Sequence, residues 1–225
     1  MKKAIVFAAV VAVCVFAYAR FSSAQTATDE SAFLTWHAGN FYPADFTGKP
    51  LPTAQSTLTI TVTDIINSKV QDLSGRTVTW YVDGEYYANG TGLETISLPV
   101  GKGLGSTYSV RATIQSDGGG IDALSIIPIF KAFAAIDAPI PNLMVPQGTS
   151  VALSAIPYFW GVTSINDLSF SWVVNGTPEP SENGGVLTLN VGNMGSGQGI
   201  TVQSTINNTK SLTQSDQEKI TLTTE

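Results

Sequence analysis

The chain has 225 residues, only 12% of them charged, with 43% hydrophobic and a formal net charge of −6. Gly, Thr, Ser and Val abound, while the Ala-, Leu-, Glu- and Lys-rich runs of a helical domain are missing after the first two dozen residues. Such a composition reads as an all-β extracellular protein, and its acidity argues against nucleic acid or anionic membranes as partners.

The N-terminus has the pattern of a targeting segment. Lys2 and Lys3 precede an apolar run from Ala4 to Ala19, and Ser22 and Ala24 supply the small residues for cleavage before Gln25. Residues 1–24 therefore read as a signal peptide. An uncleaved anchor through residues 4–19 is the alternative, since a spanning helix needs about 17–25 residues. Cleavage would remove Lys2, Lys3 and Arg20, taking the formal charge from −6 to −9, and with them Cys14, the only cysteine. The exported part would then be secreted or displayed at the cell surface, and would be stabilised without a disulfide.

A first domain is expected over residues 25–136. After a polar leader comes an aromatic group, Phe33, Trp36, His37, Phe41, Tyr42 and Phe46, read as a short strand and an irregular loop ending at Pro52. Leu58, Ile60 and Val62 alternate with threonines and predict a strand with one face in water. The run Thr77 to Gly84 then places Val78, Trp80 and Val82 on one face, because side-chain direction reverses at every residue. Asp83-Gly84 supplies the positive φ angles of a tight hairpin, with Glu85 to Ala88 returning and Asn89-Gly90-Thr91-Gly92 closing it. Tyr108 to Ile114 alternates again, and Ala123 to Phe130 makes the last strand. Ile126 to Ile136, eleven residues with a single charge, is expected to lie buried where two domains meet, followed by a stiff connector at Pro139, Pro141 and Pro146.

A second domain is expected over residues 137–225, opened by Val151, Leu153 and Ala155. Ser169 to Gly176 restates Thr77 to Gly84, and Trp172 follows Trp80 by 92 residues. Ile200 to Ile206 answers Tyr108 to Ile114 at the same offset. A period of this length predicts tandem β-sandwiches rather than a solenoid.

The Trp-x-Val-Asp/Asn-Gly pattern, with a Tyr-x-Val or Ile-x-Val strand about 28 residues on, resembles immunoglobulin-like and PKD-like modules of bacterial surface proteins. With Leu34-Thr35-Trp36 and Ala155 to Phe159, the arrangement is similar to exported proteins of ultra-small bacteria. The resemblance implies two tandem immunoglobulin-like β-sandwiches after the N-terminal segment. It implies no particular activity. Tyr108 and Val110 stand where the immunoglobulin pattern has Tyr and the second Cys.

Catalytic signals are wanting. His37 is the only histidine and reads as a partly buried loop residue, with no Gly-x-Ser-x-Gly beside it. One histidine and no exported cysteine cannot close a tetrahedral zinc site. Calcium would need clustered carboxylates, and Asp117 and Asp122 only flank a glycine-rich turn; no cofactor is expected. Tyr86, Tyr87, Tyr158, Phe159 and Trp160 are the candidate ligand-contact aromatics, because ring faces in or beside turns stack on sugars or partners. The competing reading has them capping the sandwich ends. The function expected is a non-catalytic structural or adhesive protein of the cell envelope, an extracytoplasmic spacer or scaffold; the alternative is a glycan-binding tandem module. Partners would be envelope or surface proteins, or glycans, with membrane contact only through the N-terminal segment.

Overall fold

Alternating strands joined by Asp-Gly or Asn-Gly must fold back as hairpins. The computed structural model describes residues 30–116, 119–180 and 184–225 and is built from such hairpins. The expected signal or anchor segment, residues 1–24, lies outside the described residues. The first sandwich contains β1 (Glu30–Gly39), β2 (Thr57–Ile66), β3 (Lys69–Val70), β4 (Thr77–Val82), β5 (Glu85–Thr91), β6 (Thr95–Pro99), β7 (Thr107–Ser116) and β8 (Gly119–Pro128). One sheet holds β1, β2, β3 and β6, and the other runs β5-β4-β7-β8.

The second sandwich contains β9 (Phe133–Asp137), β10 (Met144–Val145), β11 (Ser150–Tyr158), β12 (Leu168–Val174), β13 (Thr177–Glu179), β14 (Val186–Asn190), β15 (Gly199–Asn208) and β16 (Ser215–Thr224). Its sheets run β14-β11-β9 and β10-β16-β15-β12-β13. Strands β1, β2, β4, β5, β6, β7 and β8 find their counterparts in β9, β11, β12, β13, β14, β15 and β16. The chain is thus all-β, with two tandem immunoglobulin-like sandwiches.

Each sandwich has its own core. Leu58, Ile60 and Val62 of β2 share the first with Val78, Trp80, Val110, Ala112 and Ile114. Leu153, Ala155, Trp172, Val202 and Ile206 occupy matching places in the second. The repeat extends to the turns. Asp83 and Gly84 have φ of 55° and 85°, Asn175 and Gly176 of 49° and 83°, as a two-residue hairpin with two left-handed positions requires. The Asp83 carboxylate accepts the Ser109 amide at 3.1 Å, and the Asn175 side-chain carbonyl accepts that of Thr201 at 2.9 Å. Each turn is therefore bonded to the third strand of its sheet.

Several sequence expectations are corrected. The first strand is long, pairing with β2 from Glu30↔Ile66 to Gly39↔Thr57, and His37 lies exposed on it rather than half-buried in a loop. Asn89 to Thr91 continue β5 because they pair with Thr77 to Thr79, so the turn comes only at Gly92. The strip from Ile126 to Ile136 forms no common layer. Ile127 and Ile129 fill the first core, Ala132 and Ala134 the second, and Ile126 is exposed. The division between the sandwiches accordingly falls between Ile129 and Ala132 rather than at 136/137, since Phe133 to Asp137 already pairs with β11. Pro139, Pro141 and Pro146 consequently lie within the second sandwich, between β9 and β11, and do not connect the two.

Candidate functional site

The segment 40–56 between β1 and β2 builds the junction. Prolines at 43, 50 and 52 keep it out of regular strand pairing, and its aromatic residues need somewhere dry to go. Phe41 leaves the first sandwich and packs against the second core. Its amide donates to the Trp160 carbonyl at 2.7 Å and its carbonyl accepts the Trp160 amide at 3.0 Å, forming an antiparallel bridge between the sandwiches.

More bonds follow along the same segment. The Phe130 amide donates to the Pro52 carbonyl at 2.8 Å, and the buried Thr53 hydroxyl donates to the Phe159 carbonyl at 2.6 Å. Buried Gln214 accepts the Gly161 amide at 3.1 Å and the Asn208 amide group at 2.8 Å, while its own amide reaches the Ala54 carbonyl at 3.3 Å. Gly161 is there because nothing larger fits: a Cβ would stand 2.9 Å from the Ala54 carbonyl oxygen. At the rim, Lys131 pairs with Asp216, whose other oxygen accepts the Ala134 amide at 2.9 Å.

Aromatic rings collect at this junction. Phe133 and Tyr158, directly paired on β9 and β11, stack at 4.8 Å and 10°. Phe46 meets Tyr158 and Phe159 edge-on at 6.0 and 5.2 Å, and Tyr42 meets Phe46 at 5.7 Å. Such geometry stabilises by about 0.5–1.5 kcal/mol per pair beyond burial. Beside the cluster a groove of about 380 Å³ opens between the segment's Pro43 and Asp45 and the second sandwich's Ile136, Asp137, Ile156 and Tyr158.

The five aromatics singled out from sequence do not form one site. Tyr86 and Tyr87 are exposed on β5 of the first sandwich. Tyr158 is half-buried and lines the groove. Phe159, 3% exposed, and Trp160, fully buried with its Nε1 donating to the Phe133 carbonyl at 3.2 Å, are closed to any ligand. They fill the junction instead, because the segment 40–56 covers them. Tyr42, Phe46 and Phe133 join the cluster without having been singled out. For Tyr42 and Phe46 the signal was the aromatic, proline-broken run Phe41-Tyr42-Pro43 followed by Phe46, which reads as a loop until its partner surface is known.

Charged groups are sparse and structural. Lys49 sits 3.2 Å over the Trp36 ring, and burial lowers its pKa. Lys102 pairs with Asp83 at 2.6 Å. Partial burial pushes the Asp83 carboxyl up, but the hydrogen bonds from Lys102 and the Ser109 amide, with the Lys102 charge, outweigh it and leave its pKa below the ordinary value. Among the described residues no three His, Cys, Asp or Glu side chains converge as metal ligands, and no helix is long and apolar enough to cross a membrane.

No protein-family model and no curated protein matches this sequence. Several solved structures align with most of the chain. The three N-terminal domains of the highly immunogenic outer capsid protein Hoc of bacteriophage RB49 align over 87% of this chain and 59% of theirs, at 15% identity and a TM-score of 0.46. Fibronectin(III)-like modules of Clostridium thermocellum CbhA align over 84% and 93%, at 13% identity and a TM-score of 0.31. The N-terminal four immunoglobulin domains of Dscam1 align over 85% and 47%, at 12% identity and a TM-score of 0.33. The chain thus spans about three-fifths of the Hoc fragment.

Proposed function

We propose that this chain is a non-catalytic spacer or scaffold of the cell envelope, held outside the cytoplasm. The observation that carries the reading is the junction. A buried hydrogen bond, a backbone bridge and a five-ring aromatic cluster join the two sandwiches, and a device meant to hold a distance needs them joined. The acidic composition and the lack of any exported cysteine agree with a soluble extracytoplasmic part stabilised by packing alone. Fractionation of the host tests it. The chain is expected outside the cytoplasm, with its N-terminus near Gln25 or still in the membrane; full-length chain recovered from the cytosol would refute the reading.

The groove beside Tyr158 favours a second reading, glycan binding. It offers the Asp45 and Asp137 carboxylates as acceptors and Pro43 and Ile156 as apolar wall, the mixture of polar and apolar lining that ligand sites use. Titration calorimetry with neutral oligosaccharides decides it, and heat that disappears in an Asp137→Ala variant would favour the binding module over the spacer.

A further inference from the structure

The outer face of the β5-β4-β7-β8 sheet carries a row of four large side chains in register. Tyr86 pairs with Tyr81, Tyr81 with Arg111, and Arg111 with Leu124, so all four project from the same face. The row is built contact by contact: Tyr86 meets Tyr81 edge-on at 6.5 Å, and the Arg111 guanidinium lies 4.2 Å over the Tyr81 ring. Its ends are open to solvent. Tyr86 is 66% exposed, Leu124 64%, and Ile126, two residues along β8 on the same face, 57%.

The fold does not require this row, and the second sandwich shows it. There the corresponding positions, read from the matching registers, are Pro178, Val173, Gln203 and Lys219, with Thr221 in place of Ile126. The same sheet in the same topology is therefore stable with smaller and more polar residues on its outer face. Tyr and Arg beside exposed Leu and Ile are instead the composition of a protein interface core.

We infer that this face of the first sandwich is a self-association surface whose occupant is a second copy of the chain. The order of the row supports that occupant. A twofold axis running along the strands between β4 and β7 reverses it, setting Tyr86 of one chain on Leu124 of the other and Tyr81 on Arg111. In the adjoining row Asn89 pairs with Thr79, and Thr113 with Asp122. The same axis brings the Asp122 carboxylate to the Asn89 amide of the other chain. Cation meets ring and carboxylate meets amide, and the two Arg111 side chains that flank the axis are each paired with the Asp122 of their own chain. The overall charge of −6 opposes association only weakly at physiological salt, where screening acts within about 8 Å.

Sedimentation velocity of the full chain, from about 1 µM to about 1 mM, tests the inference. A monomer–dimer equilibrium is expected within that range. Substituting the second sandwich's own residues, Leu124→Lys with Ile126→Thr, should weaken it at least ~10-fold with the thermal midpoint nearly unchanged. Should that variant fold poorly, the single variants Tyr86→Glu and Leu124→Lys give an independent arm. Each is expected to dimerise less than the natural chain alone and to pair with the other on mixing, because the introduced carboxylate meets the introduced ammonium. A chain that stays monomeric throughout, a dimer indifferent to Leu124→Lys with Ile126→Thr, or single variants that do not pair on mixing would overturn it.

Discussion

Thr53 and Phe159 are 106 residues apart in the chain, yet the Thr53 hydroxyl donates to the Phe159 carbonyl at 2.6 Å with both residues buried. One residue belongs to each sandwich, so the bond exists only when the two are docked. Phe159 holds its carbonyl there at a φ of 61°, a left-handed conformation that a bulky residue adopts only where its surroundings impose it. Replacing Thr53 with Val keeps the shape and leaves the carbonyl without a partner. The expected loss is about 1–3 kcal/mol in denaturant unfolding, with Thr53→Ser restoring most of it.

The two core tryptophans should not respond alike. Changing either Trp80 or Trp172 to Ala is expected to cost roughly 3–5 kcal/mol, as large aromatics in cores do. Phe substitutions should separate them. Trp80 Nε1 donates to the Leu93 carbonyl at 2.8 Å, whereas Trp172 Nε1 is buried with no partner among the described residues. Trp80→Phe abandons a hydrogen-bonded carbonyl, while Trp172→Phe abandons none among the described residues. The first should therefore be the more destabilising, by about 1–3 kcal/mol, in paired urea titrations.

Acid sensitivity should trace to Asp83 and Asp72. Both carboxyls have pKa values below the ordinary range, Asp72 through hydrogen bonds from the Ser74 amide and hydroxyl. A depressed folded-state pKa contributes stability that is present above the unfolded value, about 3.9, and is lost as pH falls through the folded one. Thermal midpoints should accordingly drop below about pH 4. Asp83→Asn keeps the acceptor for the Ser109 amide, as Asn175 does for Thr201, but loses the charge on Lys102. Its midpoint should be lower than that of the natural chain at neutral pH and fall less steeply in acid.

What sequence showed of this protein, and what it hid, divides by range. Alternation around Trp80 and Trp172, and the Asp-Gly and Asn-Gly turns, are local signals, and the cores and hairpins follow from them. The junction is assembled from parts more than a hundred residues apart. Phe41 and Trp160 each read as loop aromatics until they are seen to bridge. The strip from Ile126 to Ile136 misled for the same reason. Its low charge reflects two cores served in turn by Ile127 and Ile129, then by Ala132 and Ala134, and composition cannot show where one core hands over to the next. Tyr86 and Tyr87 were legible as exposed because a hairpin edge is open by construction; Phe159 and Trp160 were not legible as buried, because their cover comes from the other sandwich.

The most direct test of a fixed junction is small-angle scattering of residues 25–225, with Gly161→Ala as its control. A Cβ at position 161 would lie 2.9 Å from the backbone of Ala54 and Gln55, so the two sandwiches must part to admit it while each keeps its own core. The natural chain is expected to give a single narrow inter-domain distance, and Gly161→Ala a broader one at unchanged strand content. A broad spread of distances in the natural chain would contradict the rigid spacer.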